Sequence, residues 1–453
     1  MTLNRKLISL LLVSILAFSL AGCSDDDDDM MNPTTNEASF TVTITNIAAT
    51  FTHFGSGVYN TPVGAGGPGP LTPGNAYEVT FGATPGQSLS FAIMMVESND
   101  LFFGPDGQGI TLFDGMTPIE GDVTSQVMLW DAGTEENQEP GVGSNQPFRQ
   151  SGANTGTADS DNTVRVVNDA FTYPAVDAMI AATLSYLGKG EFTLRLENAS
   201  TATTLMPSTG GGLPVPLAPG VFVIHSAADP LFTVGMPFPN NGLEGLAEDG
   251  DPSGLGSALA VLTGLTSPLA PGAYAVHSSG MPIFTSGMAD GGYGLEGLAE
   301  DGSAGTLGTW LATTTDVTGA GVFSTPVGAG GPGPLLPGNS YSFTFDAVDG
   351  DRLSFATMLV QSNDLFFGFG EAGLALFDNA GQAISGDMTS EVMLWDAGTE
   401  ENQWPGAGTD QPLRQSGPNV GDADSDDTVR LINDGYLYPA VSAAVTLTIT
   451  INN

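Results

Sequence analysis

Apolar and polar positions alternate along this chain. Residues 40–46 set Phe40, Val42 and Ile44 on one side and Thr41, Thr43 and Thr45 on the other, the period of a half-buried strand. Residues 192–198 repeat the pattern, with Phe192, Leu194 and Leu196 against Thr193, Arg195 and Glu197. Further strands are expected at 77–81, 88–95, 126–130, 163–167 and 182–187, and again at 341–345, 352–360, 391–395, 428–432 and 444–451. Turn-forming residues fill the intervals, and no stretch keeps a helical period. The pattern predicts an all-β chain built of antiparallel β-sandwiches.

The strands come in two sets because the sequence repeats itself. Met-Leu-Trp-Asp-Ala-Gly-Thr-Glu-Glu-Asn-Gln at 128–138 returns letter for letter at 393–403. Residues 98–104 return at 362–368, and 64–70 at 328–334. An internal duplication is expected, with one sandwich from 38–189 and a second from 190–453. The second copy carries an insert at about 215–302, itself a tandem repeat: 217–225 resembles 269–277, and 242–250 matches 294–302. One such unit is missing from the first copy and spare in the second. The 217–250 unit is therefore expected to pack on the first sandwich and complete it, since a sandwich short of strands leaves open edges.

Composition narrows the function. With 9 Lys+Arg against 50 Asp+Glu, the formal net charge is −41, which excludes a nucleic-acid partner. Three histidines, His53, His225 and His277, provide no zinc-ligand spacing, and His225 and His277 read as hydrogen-bonded strand ends. There is no nucleophile elbow, and the glycine-rich 64–70 loop lacks the lysine of a phosphate cradle. No enzyme is expected. Trp130 and Trp395 read as core residues, and Trp404, where the first copy has Glu139, as a surface contact.

The leader adds a location. Asn4-Arg5-Lys6, an apolar run over 7–20 and Leu20-Ala21-Gly22-Cys23 resemble a bacterial lipoprotein signal. Residues 1–22 would be removed and Cys23, the only cysteine, lipidated, which leaves no disulfide within the chain. Residues 23–37, with Asp25–Asp29, read as a self-repelling tether. The expected location is the cell envelope, anchored in the outer membrane through the lipid on Cys23.

The segments that stay most alike between the copies are acidic. Core strands tolerate swaps of similar volume, so near-identity in charged loops points to their chemistry. Trp130-Asp131-Ala132-Gly133-Thr134-Glu135, with Ser98-Asn99-Asp100 upstream, Asn145-Gln146-Pro147 and Thr163-Val164-Arg165-Val166, resembles the spondin N-terminal domain. The likeness spans most of 38–453, in the same order twice. It implies a C2-like sandwich whose loops hold Ca2+ on Asp100, Asp131 and Glu135, and in the second copy on Asp364, Asp396 and Glu400. Glu135 and Glu400 stand where animal members tend to have Asp, and the animal disulfides are absent.

The chemistry agrees with that implication. Calcium takes six to eight oxygens, and clustered carboxylates without a cation repel one another. Arg149 or Arg414 is the alternative counter-charge. Residues 159–162 and 422–427 read as turns into the next strand, with auxiliary calcium ligation as the second reading. The implied function is adhesion or extracellular interaction with a protein or glycan. Calcium-dependent carbohydrate binding and a structural matrix role are the alternatives.

Overall fold

The structure, a computed structural model, describes residues 36–452. The leader, Cys23 and Asp25–Asp29 lie outside the described residues. Strand formation follows the alternation. Glu37–Asn46 buries Phe40, Val42, Ile44 and Asn46, and Glu191–Asn198 buries Phe192, Leu194, Leu196 and Asn198. Each strand ends on an asparagine that ties it to neighbouring loops. Asn46 Nδ2 donates to the carbonyls of Ser267 and Leu335, each at 2.9 Å, and Asn198 Nδ2 to those of Leu71 at 2.8 Å and Val215 at 2.9 Å.

Two antiparallel β-sandwiches result. In the first, one sheet runs in the order Arg165–Val166, Met128–Asp131, Leu101–Gly104, Ser88–Met95, Leu217–His225, His53–Tyr59. Its partner sheet runs Ala76–Gly82, Glu191–Asn198, Ile180–Gly188, Gly121–Asp122. The second sandwich has the same order: Arg430–Leu431, Met393–Asp396, Leu365–Gly368, Arg352–Leu359, Leu269–His277, Val317–Phe323 in one sheet. The other holds Ser340–Val348, Glu37–Asn46, Val445–Asn452 and Gly386–Asp387. Phe91, Phe103, Phe81, Phe192 and Leu184 meet in the first core; Phe355, Phe367, Phe345, Phe40 and Leu447 meet in the second.

Strand membership departs from the sequence halves. Glu37–Asn46 begins the first copy, yet it lies between Ser340–Val348 and Val445–Asn452, with Phe40 opposite Phe345 and Ile451. Glu191–Asn198 begins the second copy, yet it pairs with Ala76–Gly82 and Ile180–Gly188 in the first sandwich. The boundary at 189/190 thus divides the sequence repeat, not the sheets. The two strands bury the same kind of face and each ends on a buried asparagine, so their alternation alone does not tell the two slots apart. Leu217–His225 pairs with His53–Tyr59 and Ser88–Met95, so the 217–250 unit completes the first sandwich as expected.

The insert also forms helices that the apolar pattern did not predict. Leu243–Asp249 and Ser253–Leu262 lie on the outer face of the first large sheet, where Leu243, Leu246, Leu255 and Leu259 pack with Ala92, Phe102, Trp130 and Val223. Leu295–Asp301 and Gly305–Leu311 repeat this on the second. The two Leu-Glu-Gly-Leu-Ala-Glu-Asp helices have seven residues and a central glycine, too little for a periodic signal. Their cover explains why Ser88–Met95 is buried along nearly its whole length: both of its faces are packed.

Candidate functional site

The acidic loops sit where strands end. Met128–Asp131 lies beside Leu101–Gly104 with Asp131 opposite Leu101, which brings Asp100 alongside Asp131. Gly133, at φ 72°, turns the chain back. Asp100 Oδ2 then accepts from the Thr134 N–H at 2.8 Å, the Thr134 hydroxyl at 3.1 Å and the Glu135 N–H at 3.1 Å. Its Oδ1 is buried with no hydrogen-bond partner among the described residues. Asp131 accepts from the Gly133 N–H at 2.7 Å, Asn137 at 2.8 Å and Arg165 Nη2 at 2.7 Å. Glu135 accepts from Asn99 at 3.1 Å and the Gly156 N–H at 2.6 Å.

The second sandwich repeats this frame. Asp364 Oδ2 accepts from the Thr399 N–H at 2.8 Å and the Glu400 N–H at 3.1 Å, and its Oδ1 is likewise unpartnered. Asp396 accepts from Asn402 at 2.8 Å and Arg430 at 2.9 Å, and Glu400 from Asn363 at 3.3 Å. Asp100 and Asp131 thus stand side by side, as do Asp364 and Asp396, while the carboxylates of Glu135 and Glu400 turn to Asn99 and Asn363.

Two further residues in each cluster escaped the sequence reading. Arg165 and Arg430, not Arg149 or Arg414, face the acids, because strand register sets Asp131 opposite Arg165 and Asp396 opposite Arg430. Their only signal was the repeated Thr-Val-Arg. Arg165 also pairs with Asp159, and Arg430 with Asp424, so both acidic turns serve as anchors for these arginines. Arg149 instead pairs with Glu97 at 2.6 Å. The second residue is a fourth acid, Glu248 or Glu300, supplied by the inserted helix. Each is buried with Oε2 unpartnered, and Glu248 stands beside Thr134, Glu135 and Asp100. Asn154 and Gln150 clamp the helix to the loop by donating to Glu244 at 3.1 Å and Asp249 at 2.8 Å.

Crowding and burial raise the proton affinity of these acids. Burial, then the neighbouring Asp131 carboxylate, lifts Asp100 to about 7. Burial lifts Glu248 and Glu300 to about 7 and Asp364 to about 6. Asp396 rises to about 7 through burial and then Asp364, and Glu400 to about 8 through burial and then Glu300.

Among the described residues, no three His, Cys, Asp or Glu side chains stand as a ready metal cage. Asp131 and Glu135 are turned toward their own donors. Asp100 Oδ1 and Glu248 Oε2 remain open, and each hydrogen-bonded carboxylate oxygen keeps a second lone pair. Such oxygens are hard donors of the kind divalent cations take.

Other candidate groups serve the fold. His225 Nδ1 donates to the Ala227 carbonyl at 2.6 Å and its Nε2 meets the Ser90 hydroxyl at 2.9 Å. His277 pairs in the same way with Ser279 at 3.1 Å and Ser354 at 3.0 Å. Trp130 and Trp395 are core residues whose indole N–H groups donate to the carbonyls of Gly104 and Phe369, both at 3.1 Å. Trp404 is half-buried: it packs over Gly82 and onto the core of the first sandwich, and it also lines a cleft.

No family model matches this chain, and no curated protein resembles it significantly.

Proposed function

We propose that each sandwich takes one calcium ion at its acidic cluster, and that the protein is a lipid-anchored envelope protein presenting calcium-fixed loops to an extracellular partner. The observation that carries the reading is the pair of buried, unpartnered oxygens in each cluster, Asp100 Oδ1 with Glu248 Oε2 and Asp364 Oδ1 with Glu300 Oε2. A buried carboxylate oxygen without a donor is costly, and a cation shared with its neighbours removes that cost. Asp100, Asp131, Glu135 and Glu248 would hold the first ion, and Asp364, Asp396, Glu400 and Glu300 the second. Arg165 and Arg430 would stay on the outer oxygens of Asp131 and Asp396 and fix their orientation, as outer partners of metal ligands do. The ion would supply charge neutralisation and a rigid loop. The anchor rests on the lipobox resemblance at Cys23.

Calorimetric titration of the mature chain is expected to give about two calcium sites, with Asp131→Ala removing one and Asp396→Ala the other. Absence of heat, together with a melting temperature indifferent to chelator, would leave Arg165 and Arg430 as the only counter-charges and overturn the reading.

A further inference from the structure

A second site lies at the seam between the sandwiches. There a cleft of about 170 Å3 is lined by Phe54, Gln87, Gln361, Trp404 and Arg414, among others. The two copies differ there at matched positions. In the first, Arg149 Nε donates to the Gly143 carbonyl at 2.9 Å, and its Nη2 donates to Gln146 at 2.7 Å and to the carboxylate of Glu97 at 2.6 Å. In the second, Arg414 keeps the first two bonds, to Gly408 at 2.7 Å and Gln411 at 2.6 Å. Its third partner, at 2.9 Å, is the neutral Gln361. Arg149, Arg165, Lys189, Arg195 and Arg430 each pair with a carboxylate, whereas among the described residues Arg414 and Arg352 do not; Arg352 donates to the carbonyls of Ala372 and Gly373, and of the two only Arg414 lines this cleft.

A guanidinium left unbalanced in a chain of net charge −41 calls for explanation. Its structural task, bracing the loop through Gly408 and Gln411, is done equally well in the first copy with the carboxylate in place. Loss of that carboxylate frees charge toward the cleft. Arg414 Nη1 and Gln87 Nε2 have no acceptor among the described residues, and Gln87 is oriented by accepting the Thr84 N–H at 2.9 Å. Burial lowers the Arg414 pKa to about 10, which leaves it charged at neutral pH. Three aromatic side chains, Phe51, Phe54 and Trp404, also line the cleft; Trp404 replaces Glu139 of the first copy, and Phe54 is 46% exposed. The cleft is small and open on one side, so it can seat one sugar ring with part of the ring left in solvent.

We propose that this cleft binds a one-ring acidic sugar, its carboxylate on Arg414 and Gln87 and its ring against Trp404 and Phe54. Guanidinium–carboxylate pairing supplies the charge-assisted bonds, and the aromatic faces cover the sugar's C–H surface. The site shares its loop with the second acidic cluster, because Gln411, which accepts from Arg414, donates to Asn363, and Asn363 donates to Glu400.

The test is titration of the full mature chain with D-galacturonate, once in calcium and once in chelator, followed by the NMR signal of the Trp404 indole N–H and by calorimetry. Binding is expected for galacturonate and at least about tenfold weaker for galactose. Gln361→Glu restores the ion pair of the first copy without disturbing the loop, and is expected to weaken galacturonate binding by at least about tenfold. No response at about 10 mM galacturonate, equal binding of galactose, or undiminished binding by Gln361→Glu would each overturn the proposal. Calcium titration without sugar reads the acidic clusters separately, so failure of this proposal and failure of the calcium reading are told apart.

Discussion

Truncating Phe40, near the N-terminal end of the described chain, should damage the C-terminal sandwich. Phe40 is fully buried, stacks on Phe345 with centroids 5.6 Å apart and meets Phe377 edge-on at 5.7 Å. Its strand is hydrogen-bonded on both sides, to Ser340–Val348 and to Val445–Asn452. Phe→Ala in such a core costs about 3–5 kcal/mol, a large share of the ~5–15 kcal/mol that holds a domain folded. At about 1.4 kcal/mol per decade, amide protection should fall by roughly two to four orders of magnitude. Hydrogen exchange read by mass spectrometry on Phe40→Ala should show the loss in Ser340–Val348 and Val445–Asn452, with Ala76–Gly82 and Ile180–Gly188 retained. Leu194→Ala, in Glu191–Asn198, should give the mirror result. Faster exchange in Ala76–Gly82 and Ile180–Gly188 upon Phe40→Ala would refute the strand assignment.

The acidic clusters should make stability fall as pH rises when calcium is chelated. Asp100, Glu248, Glu300, Asp364, Asp396 and Glu400 have folded pKa values of about 6 to about 8, above their unfolded values. Folding therefore takes up protons; the stability from these groups is full below about pH 4 and is lost as pH climbs through 6 to 8. His53, His225 and His277, lowered by burial, act oppositely, losing stability as pH falls below 6.5, but they are three groups against six. Thermal melts in chelator should show a falling melting temperature between about pH 5 and 8, flattened by the double variant Glu248→Gln, Glu300→Gln; an unchanged slope in that variant would count against the assignment. Gly133→Ala should destabilise the first acidic loop by about 1–3 kcal/mol, because φ is 72° and the added Cβ would stand 2.6 Å from the Thr163 carbonyl oxygen. A melting temperature equal to the parent's would show that the turn can relax.

Much of this protein was legible in the sequence because its causes are local. Alternation at 40–46 and 192–198 fixes strands, since side chains of a strand point to opposite faces in turn. The verbatim repeat at 128–138 and 393–403 marks the acidic loops, and Asp131-Ala132-Gly133 already implies a turn. The need of the 217–250 unit for a partner followed from counting strands. Tertiary structure decided what depends on pairing between distant segments. It seated Glu37–Asn46 in the far sandwich, because two strands with the same buried face compete for equivalent slots and one-dimensional pattern cannot rank them. It set Arg165 opposite Asp131 through register and carried Glu248 into the cluster on a helix too short to announce itself. It also brought Arg414 to the seam without the carboxylate that balances Arg149. Local periodicity determines which face of a segment is apolar; which surface covers that face is a long-range choice, made only when the whole chain has packed.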